Sequence, residues 1–239
     1  MQALYMKDSY LKEFEAAVSK VTDGKYVVLD QTAFYPNSGG QPYDTGKLTR
    51  ISDGAVFTVV YVGKFGEDIS HEVTSEGNEL KAGDVVRGEI DWERRYKLMR
   101  YHTAAHIISG LIHEKTGALI TGNQLDLEKS RIDFSLEDYD PSQFSGFIKE
   151  ASEKAASGAE VKLIFLTKEE AEKEETLSKL AMGLPPSIKE IRLVEIVGID
   201  RQADGGTHVK NTSEIGEIEL VKCDNKGKNN RRVYFRLKD

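Results

Sequence analysis

Tyr96-Lys97-Leu98-Met99-Arg100-Tyr101-His102-Thr103-Ala104-Ala105-His106 decides how the rest of the chain is read. From Tyr96 to Lys115 the apolar positions Leu98, Tyr101, Ala105, Ile108 and Ile112 recur at alternating steps of three and four, which predicts a long amphipathic helix with one buried face. Asp91 is placed to cap its start, and Glu93 suits the positive end of its dipole. Residues four apart on a helix share a face, so His102 and His106 project from adjacent turns, an arrangement in which two imidazoles can bind one metal ion. Taken alone, such a pair is more often a coincidence of packing than a site. The other ligands must come from elsewhere in the chain.

Upstream of the helix the periodicity is that of strands. Phe14, Ala16 and Val18 alternate with polar neighbours, Asp23-Gly24 offers a hairpin turn, and Lys25 to Asp30 is rich in valine. A helix over Leu11 to Val21 suits the same alanines and charges equally well. Further strands are expected at Gly46–Ile51, Ala55–Val62, Ile69–Val73 and Val85–Ile90, and strands this closely spaced close into a barrel or sandwich. Residues 1–91 are therefore predicted to form a small N-terminal β-barrel domain and residues 92–239 a second domain. Between the strands, Phe34-Tyr35-Pro36-Asn37-Ser38-Gly39-Gly40-Gln41-Pro42 is too dense in proline and glycine for regular structure. Paired glycines let backbone amides come close to a ligand, although a plain surface turn has the same composition. The spacing GxxxxGK[ST] of a phosphate-binding loop is absent.

Downstream, Gly117 and Gly122 bracket a segment containing Thr121, and Lys129 to Phe134 reads as a strand. Asp140-Pro141 opens a second helix with Phe144, Phe147, Ile148 and Ala151 on one face. Glu160 to Leu166 is a strand, and Thr167 caps a charged helix from Lys168 to Leu180, broken by Met182-Gly183-Leu184-Pro185-Pro186. Strands at Ile191–Ile196, Ile215–Lys222 and Arg231–Leu237 complete the pattern. The fold class is α+β, a long helix packed on a mostly antiparallel sheet. Asp200 to His208 is a turn-rich loop at a strand end, where side chains can converge on a helix. His208 is the obvious third ligand. Asp204, four residues earlier, is a candidate fourth, and as a carboxylate it could equally lie behind the metal or act as a base. Three imidazoles leave an open position on zinc, and with no thiolates nearby that favours a catalytic over a structural site. His113 lies about 10 Å further up the helix at ~1.5 Å per residue, too far to share the ion. His71 falls among the strands with no partner nearby.

With 33 Lys and Arg against 40 Asp and Glu, a net charge of -7 does not advertise a nucleic-acid binder. The tail differs: Lys222, Lys226, Lys228, Arg231, Arg232, Arg236 and Lys238 are opposed there only by Asp224 and Asp239. A single cysteine, Cys223, excludes an internal disulfide, and no apolar run approaches the ~18 to 20 residues of a membrane span. A cytoplasmic protein is expected. HExxH is missing, which argues against a zincin-type peptidase.

Asp91 to His106, together with Asp204-Gly205-Gly206-Thr207-His208 and the following Val209 to Gly216, resembles the editing domain of alanyl-tRNA synthetase and its free-standing relatives, the AlaX proteins. The loop Phe34 to Pro42 looks like the glycine-rich motif that precedes that domain in the synthetase and in the medium-length AlaX class. The three motifs occur in the same order and span the chain nearly end to end. The resemblance implies a stand-alone hydrolase that deacylates tRNA(Ala) mischarged with serine or glycine, using Zn2+. It places metal ligands at His102, His106 and His208. The family's cysteine ligand is replaced here by Asp204, which leaves the fourth position open. It also places Thr121 where a threonine reads the serine hydroxyl. Gln41 and the amides of Gly39, Gly40, Gly205 and Gly206 are candidate donors to a developing oxyanion, and Arg94, Arg95, Lys97 and Arg100, with the tail, are candidate phosphate contacts. Two other classes fit the residues: a non-catalytic RNA-binding module with structural histidines, and a zinc hydrolase of a small ester or amide.

Overall fold

The computed structural model describes residues 1–137, 140, 142–173 and 190–238. Its first part contains β1 (Gln2–Ala3), β2 (Glu13–Thr22), β3 (Tyr26–Leu29), β4 (Gln31–Thr32), β5 (Gly46–Arg50), β6 (Val56–Phe65), β7 (Asp68–Thr74) and β8 (Val85–Ile90). Six of these close an antiparallel barrel in the order β2-β3-β7-β6-β5-β8, while β1 and β4 form a short parallel pair. The Leu11 to Val21 segment is a strand, not a helix, because Phe14, Ala16 and Val18 alternate into the barrel. There they meet Val27, Leu29, Leu48, Phe57, Val59, Val62 and Val86, all buried.

Helix α1 (Trp92–Thr116) follows directly. The Asp91 carboxylate accepts from the Arg94 amide, and Gly117, at φ 71°, ends the helix with its N–H on the His113 carbonyl. One expectation fails here. The helix is not amphipathic: Arg95, His102, Thr103, His106 and Ser109 are buried along with its apolar residues, because α1 runs between the barrel's loops, α2 (Ser142–Ala156) and two sheets. Tertiary enclosure has overridden the one-sided pattern, and each buried polar group is met by a specific partner.

The remaining strands are β9 (Ile120–Gln124), β10 (Ser130–Phe134), β11 (Val161–Thr167), β12 (Glu190–Ile196), β13 (Asp200–Ala203), β14 (Glu217–Asn225) and β15 (Arg231–Lys238). They build two antiparallel sheets, β14-β15-β10-β9 and β11-β12-β13. From α2, Phe144, Ile148 and Ala151 enter the same core as α1's Ile108 and Ile112 and the sheet residues Ile132, Val233 and Phe235. A short α3 (Lys168–Lys173) begins at Thr167, whose hydroxyl accepts from the Glu170 amide while the Glu170 carboxylate receives the Thr167 amide. Pro141, the rest of the helix expected to Leu180, and the Met182–Pro186 break lie outside the described residues. Besides the two-residue β1 and β4, two strands were not foreseen. β9 is polar and glycine-containing, and β13 takes the first residues of what reads as a loop.

The barrel and α1 are joined by a buried ion pair. Arg95, fully enclosed, donates through Nε to both Asp44 oxygens at 3.0 Å and through Nη1 and Nη2 to the carbonyls of Ser9 and Ala33. Asp44 in turn accepts from the Tyr35 amide at 2.6 Å. One carboxylate therefore holds both the start of the glycine-rich loop and the base of the helix. Arg95 cannot reach a nucleic-acid phosphate from there.

Candidate metal centre

α1 presents His102 and His106, and the segment after β13 presents Asp204 and His208. The four bring one ligand atom each to within 4.8 Å of one another. Neighbouring ligand atoms around a tetrahedral zinc lie roughly 3.3 to 3.5 Å apart. The corresponding separations from the Asp204 oxygens are 3.0 Å to His208 Nε2, 3.5 Å to His102 Nε2 and 3.9 Å to His106 Nε2.

What aims the rings is a set of acceptors behind them. His102 Nδ1 lies 2.9 Å from Gln41 Oε1, His106 Nδ1 2.9 Å from Asp200 Oδ2, and His208 Nδ1 3.1 Å from Thr103 Oγ1. Each proton assignment follows from its neighbours. The Thr207 amide can only donate, and it reaches the same Gln41 oxygen at 3.1 Å, so that atom is the carbonyl. The Thr103 hydroxyl gives its proton to the Met99 carbonyl and so accepts from His208. The Gln202 amide also lies 3.0 Å from His106 Nδ1 but donates to Asp200 at 2.8 Å, and the anionic Asp200 is the better partner for the ring's proton. With every Nδ1–H engaged, three Nε2 lone pairs face a carboxylate with no proton between them. A cation is what such a donor set fits.

The loop that carries the last two ligands is fixed at both ends. Arg192, from β12, donates to the Asp204 carbonyl at 2.6 Å and to the Met6 carbonyl at 2.9 Å. Beyond His208, Glu214 accepts from the amides of Lys210 and Asn211 and from the hydroxyls of Tyr10 and Tyr96. In the middle, the Gly206 amide donates to Asp204 Oδ2 at 2.5 Å. Gly206 also has to be glycine: a Cβ there would stand 2.2 Å from the His102 ring.

Charge is arranged to suit a metal. Burial pushes the His208 ring down to about 4, against the pull of the Asp204 carboxylate beside its Nε2, and burial likewise drives His102 well below its ordinary value. Burial by itself would raise the Asp204 carboxyl, but any proton that the site takes up goes to the rings, and the imidazolium charge, at His102 first and then His208, outweighs burial and holds the group well below the usual carboxylate range. Unprotonated rings beside an ionised carboxylate are the binding-competent state.

Against the ligands lies a cavity of about 280 Å³ whose lining includes Gly39, Ala105, Ile120, Asn123, Leu125 and Gln202. A larger groove of about 740 Å³ runs between α2 and β14, with no histidine in its lining. Thr121 is not among the cavity's residues. It is exposed, in a bulge of β9 where Phe134 pairs with Ile120 and Asp133 with Gly122, so that Thr121 is the extra residue, while Ile120 and Asn123, themselves largely exposed, border the cavity. Gln41 is fully buried with its amide engaged inside the protein, and it is likewise absent from the lining. His113 is exposed, its ring on the Ala118 carbonyl, and His71 is a core histidine bonded to Thr32 and the Val27 carbonyl. Sequence reasoning missed Thr103, Asp200, Gln202 and Asn123.

Residues 2–94 match the family described as tRNA synthetases class II (A), and residues 191–234 match the threonyl and alanyl tRNA synthetase second additional domain. The chain is 56% identical over 241 residues to the alanyl-tRNA editing protein AlaX-M of Methanosarcina barkeri, covering 100% of this chain and 99% of that protein. It belongs to the AlaX family of alanyl-tRNA editing proteins. The AlaX-M of Saccharolobus solfataricus is 48% identical over 238 residues, covering 99% of each chain. The alanine–tRNA ligase of Methanococcus vannielii is 38% identical over 226 residues, which is 93% of this chain but 24% of the ligase. AlaX proteins are deacylating hydrolases, so the chain is an enzyme of the aminoacyl-tRNA hydrolase class. No helix among its described residues is long and apolar enough to cross a membrane.

Proposed function

We propose that this AlaX protein removes serine, and also glycine, from mischarged tRNA(Ala) by hydrolysing the aminoacyl ester at a zinc site held by His102, His106, His208 and Asp204. The observation that carries the reading is the convergence of three Nε2 atoms and a carboxylate beside a cavity sized for one small aminoacyl group. When bound there, zinc supplies Lewis acidity and a water of lowered pKa. The chain's own residues do the rest. Asp200, Gln41 and Thr103 hold the rings in one tautomer, and Asp204 Oδ1 faces the Nε2 atoms of both helix histidines, a ligand's position rather than a free base's. Gly39 on the cavity wall leaves space for a substrate's backbone, and the apolar Ala105, Ile120, Leu125 and Ile132 limit water.

Selection against correctly charged alanine rests on reading the serine hydroxyl, since a pocket that admits glycine cannot reject alanine strongly by size. Thr121 is one candidate reader, by way of a shift in the β9 bulge. Asn123, already bordering the cavity, is the other. Thr121→Val and Asn123→Ala separate them: the true reader's variant slows release of serine far more than release of glycine. Residues 1–91 and 92–239 are proposed to act as two domains of one enzyme. For tRNA, half-buried Lys97 and exposed Lys228 remain candidate contacts. Most of the tail's cations are taken, with Lys222 and Lys226 on Asp224, Arg232 on Asp133, Arg236 on Glu219 and Lys238 on Glu217.

Incubation with seryl-, glycyl- and alanyl-tRNA(Ala), with and without a chelator, tests the whole reading. Release of serine and glycine that spares alanine and stops with the chelator is expected. Tight RNA binding without release would mean a non-catalytic module, and release from small esters alone would mean a different hydrolase.

A further inference from the structure

Gln41, from the barrel's loops, reaches a metal-facing ring with its side chain, and both polar atoms of its amide are engaged. Oε1 accepts from His102 Nδ1 at 2.9 Å and from the Thr207 amide at 3.1 Å, while Nε2 donates to Thr207 Oγ1 at 2.8 Å. A single side chain therefore ties the glycine-rich loop to α1 and to the segment between Asp204 and His208. Its own backbone is locked. Ser38 and Gln41 exchange both of their N–H···O bonds at 3.2 and 2.9 Å around Gly39 and Gly40, whose φ values of 60° and 83° make a two-residue turn of the I′ type. The turn is then pinned just past the end of β9, where the Leu125 amide reaches the Gly40 carbonyl at 2.8 Å. Gly40 suits its place because φ is 83°, a conformation that side chains rarely adopt, and a Cβ there would also stand 3.0 Å from the Asn123 carbonyl oxygen.

From this geometry we infer that Gln41 is a positioning residue of the metal centre. It holds His102 in the Nδ1–H tautomer, with Nε2 aimed at the ion, and it sets the distance between the two ligand-bearing segments. The site is thus completed from outside the half of the chain that supplies the ligands, and metal affinity depends on how the barrel is seated. This role replaces that of an oxyanion donor, for which Gln41 would need an N–H facing the cavity, whereas its side chain is fully buried and outside the cavity's lining. The inference rests on the metal-dependent reading above.

The test is metal binding rather than turnover. The parent, Gln41→Met and Gln41→Glu are stripped with a chelator and titrated with Co2+ and with Zn2+ against a chromophoric competitor, and the visible spectrum of each Co2+ form is recorded. Methionine keeps the volume and removes the acceptor. Its affinity is expected to fall about 10- to 100-fold with an altered spectrum. Glutamate restores an acceptor for His102 and for the Thr207 amide and can accept the Thr207 hydroxyl proton, so it is expected to bind at least as tightly as the parent with the parent's spectrum. The glutamate result stands alone should the methionine variant fold poorly. Unchanged affinity in Gln41→Met, or a loss in Gln41→Glu equal to that in Gln41→Met, overturns the role of Gln41 and leaves the zinc reading intact. A parent that binds neither ion overturns both.

Discussion

The resemblance to the alanyl-tRNA editing domain implies a cysteine ligand where this chain has Asp204, and the geometry of Asp204 bears on what such an exchange would do. One oxygen is held by the Gly206 amide and lies 3.0 Å from His208 Nε2, and the other faces His102 and His106. A carboxylate oxygen in place of sulfur makes the donor set harder without dismantling it. If Asp204 is a ligand, Asp204→Cys should still bind Co2+ and gain an intense near-ultraviolet thiolate-to-metal band. Weakened binding with no such band would place Asp204 behind the metal. Gly206 makes a second residue-scale prediction. The alanine methyl would overlap the His102 ring, so either the ring turns or the loop backs away, and both separate ligands. Gly206→Ala should lower Co2+ affinity by about 10-fold or more, with its far-ultraviolet circular dichroism kept. Parent-like affinity would show that the loop yields without cost to the site.

Among the elements, α1 decides the most, and the Arg95–Asp44 pair decides where α1 sits. Asp44→Asn leaves a guanidinium buried with its charge uncompensated, and breaking a buried pair in this way costs about 3 to 5 kcal/mol. Urea unfolding should show a loss of that size, whereas a loss under about 1 kcal/mol would mean that water reaches Arg95. The same carboxylate holds the Tyr35 amide, so the variant should also bind metal more weakly. How far these features can be read from residues alone follows from their physics. Helical spacing placed His102 beside His106, and alternation gave the barrel strands. Loop chemistry put Asp204 and His208 within reach of the helix. The one-sided burial of α1 was misread because its enclosing partners come from distant segments. β9 and β13 were missed because Thr121-Gly122-Asn123-Gln124 and Asp200-Arg201-Gln202-Ala203 carry almost no apolar alternation. The bulge that turns Thr121 outward leaves no trace in periodicity. Nor do Thr103, Asp200 and Gln41, whose roles depend on side-chain direction after packing.

At the scale of the molecule, acid should loosen the fold in a definite direction. Burial pushes wholly enclosed His71 from 6.5 down to about 4, against the pull of the Val27 carbonyl. Its folded pKa is depressed, so its contribution is complete above pH 6.5 and is lost as the pH falls from there through about 4. The amount for this one ring is on the order of 3 kcal/mol. His102 and His208, also driven down by burial, act in the same sense in metal-free protein. Urea unfolding in chelator at pH 7, 6 and 5 should show stability declining at each step, and a level profile would mean that these rings are hydrated.

Strand β15 closes on the same helix: the Leu237 amide donates to the Tyr101 hydroxyl, one residue before His102, and that hydroxyl donates to the Glu128 carbonyl. A nascent polypeptide emerging from the ribosome therefore has the helix's two facing imidazoles long before the strand that steadies them. Activity should switch on abruptly during synthesis, once the β14–β15 hairpin has docked, and chains halted before it should be silent.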